Sequence, residues 1–80
     1  MSKEIIKDSD LFIAEVSFPS TGLGIELGWA DSFHKPIICI YSKGSQPSAS
    51  LKTISRNFIE YLDKTDMIDK LDKAISAIFA

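Results

Sequence analysis

The chain reads as an α/β protein built on a parallel sheet, and three observations lead there. Two short apolar runs, Leu11–Val16 and Ile37–Tyr41, have the continuous pattern of strands buried on both faces. An amphipathic stretch of helical length lies between them. A third strand-like run, Asn57–Tyr61, is followed by a segment whose apolar residues recur at helical spacing. Strands that alternate with helices need crossover connections, and crossovers make neighbouring strands parallel.

The elements follow in order. Residues 1–9 are too few for a strand–helix unit, so Glu4, Ile5 and Ile6 are at most the tail of a helix entering the first strand. Residues 10–16 form that strand, and a helix runs from about Gly22 to His34. Lys35-Pro36 ends the helix, because proline disfavours the α region for the residue before it. The second strand is Ile37–Tyr41. Gly44, Pro47 and three serines mark 42–48 as an exposed connection. A short helix covers about Ser48 to Ser55, and the third strand is Asn57–Tyr61. In the last helix Met67, Ile68, Leu71, Ala74, Ile75, Ile78 and Phe79 form the apolar stripe, with Asp63 or Thr65 as cap.

Eighty residues make one domain, 1–80, and a chain of this size buries only about 60–65% of its unfolded surface. With 45% hydrophobic residues, 25% charged and a net charge of −2, there is no basic cluster to hold nucleic acid. No apolar run approaches the roughly 20 residues that span a bilayer, so no membrane partner is expected. Met1-Ser2-Lys3-Glu4 lacks the apolar core of a signal peptide, which makes a cytoplasmic protein the expectation. Cys39 is the single cysteine and excludes a disulfide framework or thiolate metal site; its apolar surroundings favour a buried, inert thiol. Neither a metal nor a cofactor is expected.

The segment Gly22-Leu23-Gly24-Ile25-Glu26-Leu27-Gly28 is the most informative about function. It reads as a glycine-bearing loop opening a helix, with Glu26 in the first helical turn, where free N–H groups favour anions. Glu26 shares its helical face with Trp29, Ala30 and Phe33, so a carboxylate stands on the apolar stripe. Glu26 is a site candidate; the alternative is a plain partner of the helix dipole. A dinucleotide fingerprint does not fit. Gly28 comes one residue too late for G-x-G-x-x-G, and no acidic residue closes a second strand about 20 residues on. Loops at 19–24 and 42–50 both leave the carboxyl ends of strands, where parallel sheets bind ligands.

Asp10-Leu11-Phe12-Ile13-Ala14-Glu15-Val16, Pro19-Ser20, Gly22-x-Gly24-x-Glu26-Leu27-Gly28 and Lys35-Pro36-Ile37 together resemble the nucleoside 2-deoxyribosyltransferase superfamily. By pattern they are nearest the 2′-deoxynucleoside 5′-phosphate N-hydrolases. The resemblance runs from about residue 8 to the end and implies a flavodoxin-like or Rossmann-like three-layer fold, N-terminally truncated. It implies that Glu26 is the nucleophile, attacking C1′ of a 2′-deoxyribonucleoside or its 5′-monophosphate through a covalent deoxyribosyl ester. Ser20 falls where the hydrolases carry a phosphate- or sugar-binding serine and the transferases an aspartate. Gly22 and Gly24 belong to the same binding segment. Ser50 matches a serine that reaches the phosphate from the neighbouring subunit, and it could equally cap the short helix.

The family's first strand–helix–strand portion, with its base pocket, has no counterpart here. The family's second carboxylate would fall at Ser2. A fragment, a misassigned start, a site completed by another chain, or a lost activity all fit that departure. The expected partners are a deoxyribonucleoside or deoxyribonucleotide and further copies of the chain, through the edge of Leu11–Val16 or the face around the Gly22–Phe33 helix. A non-catalytic nucleotide- or phosphosugar-binding module that oligomerises is the other reading. Glu15, His34 and Lys43 carry weaker signals: Glu15 lines the site, or packs or hydrogen-bonds; His34 is a surface residue meeting terminal carbonyls, or a general acid or base; and Lys43 meets a phosphate or solvent.

Overall fold

A computed structural model describes residues 2–80. Its elements are α1 (Lys3–Lys7), β1 (Phe12–Glu15), α2 (Thr21–Ser32), β2 (Ile37–Ser42), a 3₁₀ segment (Ala49–Thr53), β3 (Asn57–Tyr61) and α3 (Lys64–Ile78). The strands form one parallel sheet in the order β1-β2-β3. The architecture is the α/β one expected, with three parallel strands and flanking helices.

Register assigns the faces, since residues paired across parallel strands point the same way and successive residues alternate. Phe12 faces Ile37, and Ala14 faces Cys39, which in turn faces Phe58. That face packs with Ile6 of α1 and with Leu27 and Ala30 of α2 to make the core cluster. Ile38 and Ile40 are buried too but stand outside that cluster, on the opposite face. α3 packs against β3.

β1 departs from the expectation of burial on both faces. Phe12 and Ala14 are buried, but Ile13 is 42% exposed and Glu15 is exposed beside it. The reason is positional: β1 is an edge strand, and α3 packs against the strand at the other edge of the sheet.

Capping explains where the helices begin. Asp63 Oδ1 accepts the Asp66 N–H at 2.9 Å, and Asp66 Oδ2 accepts the Leu62 N–H at 2.9 Å. This reciprocal arrangement resembles a capping box, and it selects Asp63 over Thr65. α2 starts one residue earlier than expected, because Ser20 Oγ accepts the Leu23 N–H at 3.3 Å and acts as its cap. Gly22 and Gly24 therefore lie within the first turn of the helix, not in a loop. Gly44 is the glycine with a left-handed backbone, φ 89°. At the other end α2 stops at Ser32, and His34 takes φ 57° while its N–H reaches Asp31 O at 2.9 Å.

Candidate functional site

Two concavities meet at the start of α2, and Ser20 lines both. The first, about 370 Å³, lies between residues 18–21 and the 3₁₀ segment, with Ser48 and Ser50 on the far wall and Gly24 and Leu27 contributed by α2. The second, about 500 Å³ and more open, is lined by Ser20, Gly22, Ile25, Glu26 and Trp29. The loops after β1 and β2 thus come together beyond the carboxyl ends of their strands. Ser20, Gly24 and Ser50 share one concavity; Ser20, Gly22 and Glu26 share the other.

Glu26 is half-buried and shares its concavity with Trp29, in keeping with a place on the apolar side of the helix. It is not in the first helical turn. With Thr21 as the first helical residue, Glu26 is the sixth, and that first turn holds no acidic residue. The field of a helix terminus falls off within one turn, so the dipole argument passes from Glu26 to the groups around Ser20.

The first concavity has mostly apolar walls, among them Val16, Leu23, Leu27 and Leu51, set with hydroxyls and no charge. Ser20, Thr21, Ser48 and Ser50 supply hydroxyls, and no Lys, Arg, Asp or Glu lines it. Ser20 occupies the Leu23 amide, while Thr21 and Gly22 amides at a helix start have no intrahelical acceptor. Such an arrangement suits an anion held by hydrogen bonds and a helix end. The expectation that Ser50 caps the short helix fails. The segment is a 3₁₀ turn whose cap position is Ser48, and Ser48 makes no side-chain cap bond. Its Oγ instead lies 2.8 Å from Ser50 Oγ. Ser48, Thr21 and Phe18 were not singled out from the sequence; the Ser-x-Ser repeat at 48–50 was the available signal for the first.

Glu15 closes a polar cluster at the carboxyl end of the sheet. Its Oε1 accepts the Ser17 N–H at 2.6 Å, and its Oε2 accepts the Tyr61 hydroxyl. Ser17 Oγ accepts the Ser42 N–H at 2.9 Å, so the ends of all three strands are tied together. Burial pushes the Glu15 carboxyl up, but the bonds from Ser17 and Tyr61 outweigh it and hold the group below its ordinary value. The bond to Glu15 raises the Tyr61 hydroxyl. Glu15 therefore organises the loop after β1 and lines neither concavity.

The remaining candidates lie elsewhere. Cys39 is fully buried, and burial raises its thiol while Ser55 partly offsets this. His34 is exposed, and the Lys43 N–H bonds Tyr61 O at 2.9 Å. Ser2, where the family's second carboxylate would fall, caps α1 by accepting the Ile5 N–H at 3.3 Å. Among the described residues no cluster of His, Cys, Asp and Glu could hold a metal, and no helix is long and apolar enough to cross a membrane.

Comparison with known proteins gives relatives of one kind. A Thermofilum pendens protein provisionally named 2′-deoxynucleoside 5′-phosphate N-hydrolase 1 is 32% identical over 76 residues, covering 89% of this chain and 53% of its own length. The 5-hydroxymethyl-dUMP N-hydrolase of Esox lucius is 48% identical over 42 residues, 52% of this chain and 29% of that protein. Among solved structures, the CMP N-glycosidase BcmB of Clostridium botulinum superposes with a TM-score of 0.76 at 33% identity, over 88% of this chain and 66% of that one. The chain spans about half the length, or less, of the curated relatives it matches. No family model matches.

Proposed function

We propose that this chain, a relative of the nucleotide N-hydrolases and N-glycosidases, carries the sugar–phosphate half of a site that cleaves the N-glycosidic bond of 2′-deoxyribonucleotides. The observation that carries this reading is Ser20, which stands between the hydroxyl-lined concavity and the one containing Glu26. A nucleotide laid across it puts its 5′-phosphate on one side and C1′ on the other. Ser20, Ser50 and the first amides of α2 hold the phosphate, with Gly22 and Gly24 leaving their side of the helix open.

The chemistry then falls to Glu26. A carboxylate oxygen forms a bond to C1′ as the C1′–N bond breaks, and the bond's electron pair leaves with the base, which takes up a proton. Water attacks the resulting ester at C1′ and returns the free carboxylate and the sugar phosphate. A second base in place of water would complete a transfer.

Glu26→Gln is the direct test, with base release from each deoxynucleoside monophosphate as the readout. The variant should stay folded and release none, because an amide cannot form the ester; release at the wild-type rate would rule Glu26 out as nucleophile. Ser2 favours a second reading, a non-catalytic phosphosugar-binding module, since its hydroxyl caps α1 at the place of the family's second carboxylate. Saturable binding of 2-deoxyribose 5-phosphate with no base release from any nucleotide would select that module.

A further inference from the structure

The two edges of the sheet are finished differently. In a trans peptide of an extended chain, C=O and N–H turn to opposite sides of the strand. Tyr61 O accepts the Lys43 N–H at 2.9 Å on the β2 side, so Glu60 O and the Leu62 N–H turn outward, away from the sheet. Both outward groups are taken. Lys70 Nζ donates to Glu60 O at 2.8 Å, and Asp66 Oδ2 accepts the Leu62 N–H at 2.9 Å. The two side chains, one turn apart on α3, also pair with each other at 3.0 Å. β1 has the opposite finish. Its Phe12 and Val16 N–H groups bond Pro36 O and Ile40 O on the β2 side, which turns the backbone groups of Ile13 and Glu15 outward. Among the described residues β1 pairs with β2 alone, and Ile13 is exposed.

We propose that the Asp66–Lys70 pair guards the β3 edge and denies it to the open β1 edge of another copy. A free edge strand is a template for any strand that can present matching groups, and a lysine on the edge is one way to blunt it. Unguarded, β3 would accept β1 of a second copy as a fourth strand, and that copy's β3 would accept a third. Such a head-to-tail contact does not close on itself and grows without limit. With β3 sealed, growth stops at whatever closed assembly the other surfaces form. An exposed pair at this spacing adds little to a helix, and Asp69–Lys73, at 3.2 Å, is a second pair of the same kind on α3. The difference lies in the contact with β3. Asp66 also serves the start of α3, so Lys70 is the member whose loss isolates the guard.

The test is sedimentation of the whole chain across micromolar concentrations. Lys70→Met keeps the aliphatic stem and loses the ammonium, and Lys73→Met is the matched control that removes the same charge. Lys70→Met should at least double the weight-average mass relative to wild type at the highest concentration and keep growing with concentration. Lys73→Met should sediment as wild type does. Lys70→Arg, which can still reach the carbonyl and the carboxylate, should restore the wild-type mass. Adding Ile13→Lys to Lys70→Met should also restore it, by blunting the β1 edge that β3 would recruit. Unchanged mass in Lys70→Met, equal growth in Lys73→Met, or open-ended growth of the wild type would each overturn the guard. Growth that Ile13→Lys leaves intact would overturn β1 as the strand excluded. Growth that comes with loss of the native thermal transition would be aggregation of an unfolded chain, and would overturn the proposal as well.

Discussion

Ser20 asks one oxygen to cap a helix and to meet a ligand, and its chemistry permits both. A hydroxyl has two lone pairs and one proton; Leu23 takes a lone pair, and the proton stays available for a phosphate oxygen. Substitutions can separate the roles. Ser20→Ala should lose both the cap, about 1 kcal/mol of stability, and monophosphate affinity. Ser20→Asp should keep the cap but repel a phosphate, so chemical denaturation should find it near wild type while monophosphate binding collapses and free nucleosides are spared. Loss of both ligand types alike would remove Ser20 from the phosphate. The Glu15–Tyr61 pair makes a second forecast. Glu15 gives up its proton more easily folded than unfolded, so its stabilisation is complete above the ordinary 4.5 and fades as acid reprotonates it. Tyr61 has the opposite sign: its contribution is complete below the ordinary 10.0 and is lost once alkali passes the raised value. Urea midpoints across pH should therefore fall at both extremes, and Tyr61→Phe should flatten the alkaline fall. An unchanged alkaline limb in that variant would show that the pair is not coupled to folding.

At the scale of elements, α2 carries glycines where a helix would be better served by alanine. Gly22, Gly24 and Gly28 are helical, and a Cβ added at any of them meets nothing within 4 Å. Alanine at Gly28, which lines neither concavity, should add about 0.5–1 kcal/mol of stability without touching ligand binding. At Gly22 or Gly24 the stability gain should come with weaker binding, since those positions line the site. Thermal melts and titrations on the three variants check this, and equal binding in all three would deny the glycines any part in ligand access. The same helix shows where sequence reading stops. The strand–helix alternation and the parallel pairing were legible because hydrophobic period and crossover geometry leave few alternatives. Asp63 was legible as one of two candidate caps, with Thr65 the other, because cap chemistry is local. The α2 start was misread because glycine pairs signal a turn, whereas a preceding serine that can bond an amide outranks them. Burial of β1 was misread because periodicity reports what a strand could bury, not whether a neighbour exists to bury it. The pairing of Ser48 with Ser50 and the Glu15–Tyr61 contact depend on tertiary approach that no local pattern encodes.

For the whole molecule, the open edge of the sheet at β1 is the dominant fact. Among the described residues β1 pairs with β2 alone, and Ile13 on β1 and Ile25 on α2 are both exposed. An open apolar edge in so small a chain should recruit a second copy, through β1 or the outer face of α2. Sedimentation equilibrium should show dimers or larger species at micromolar concentration, and a folded monomer throughout that range would exclude a site shared between copies.

Cys39 offers a way to read that assembly without adding a probe. The only thiol in the chain sits in the central strand with no exposed surface, so a labelling reagent reaches it only when the sheet itself opens. The rate of modification under native conditions then becomes a clock for rare, deep openings, while frayed ends and surface loops stay silent. If subunit contact is what holds the sheet shut, the clock should slow as protein concentration rises. In a self-sufficient monomer it would keep the same time at every dilution.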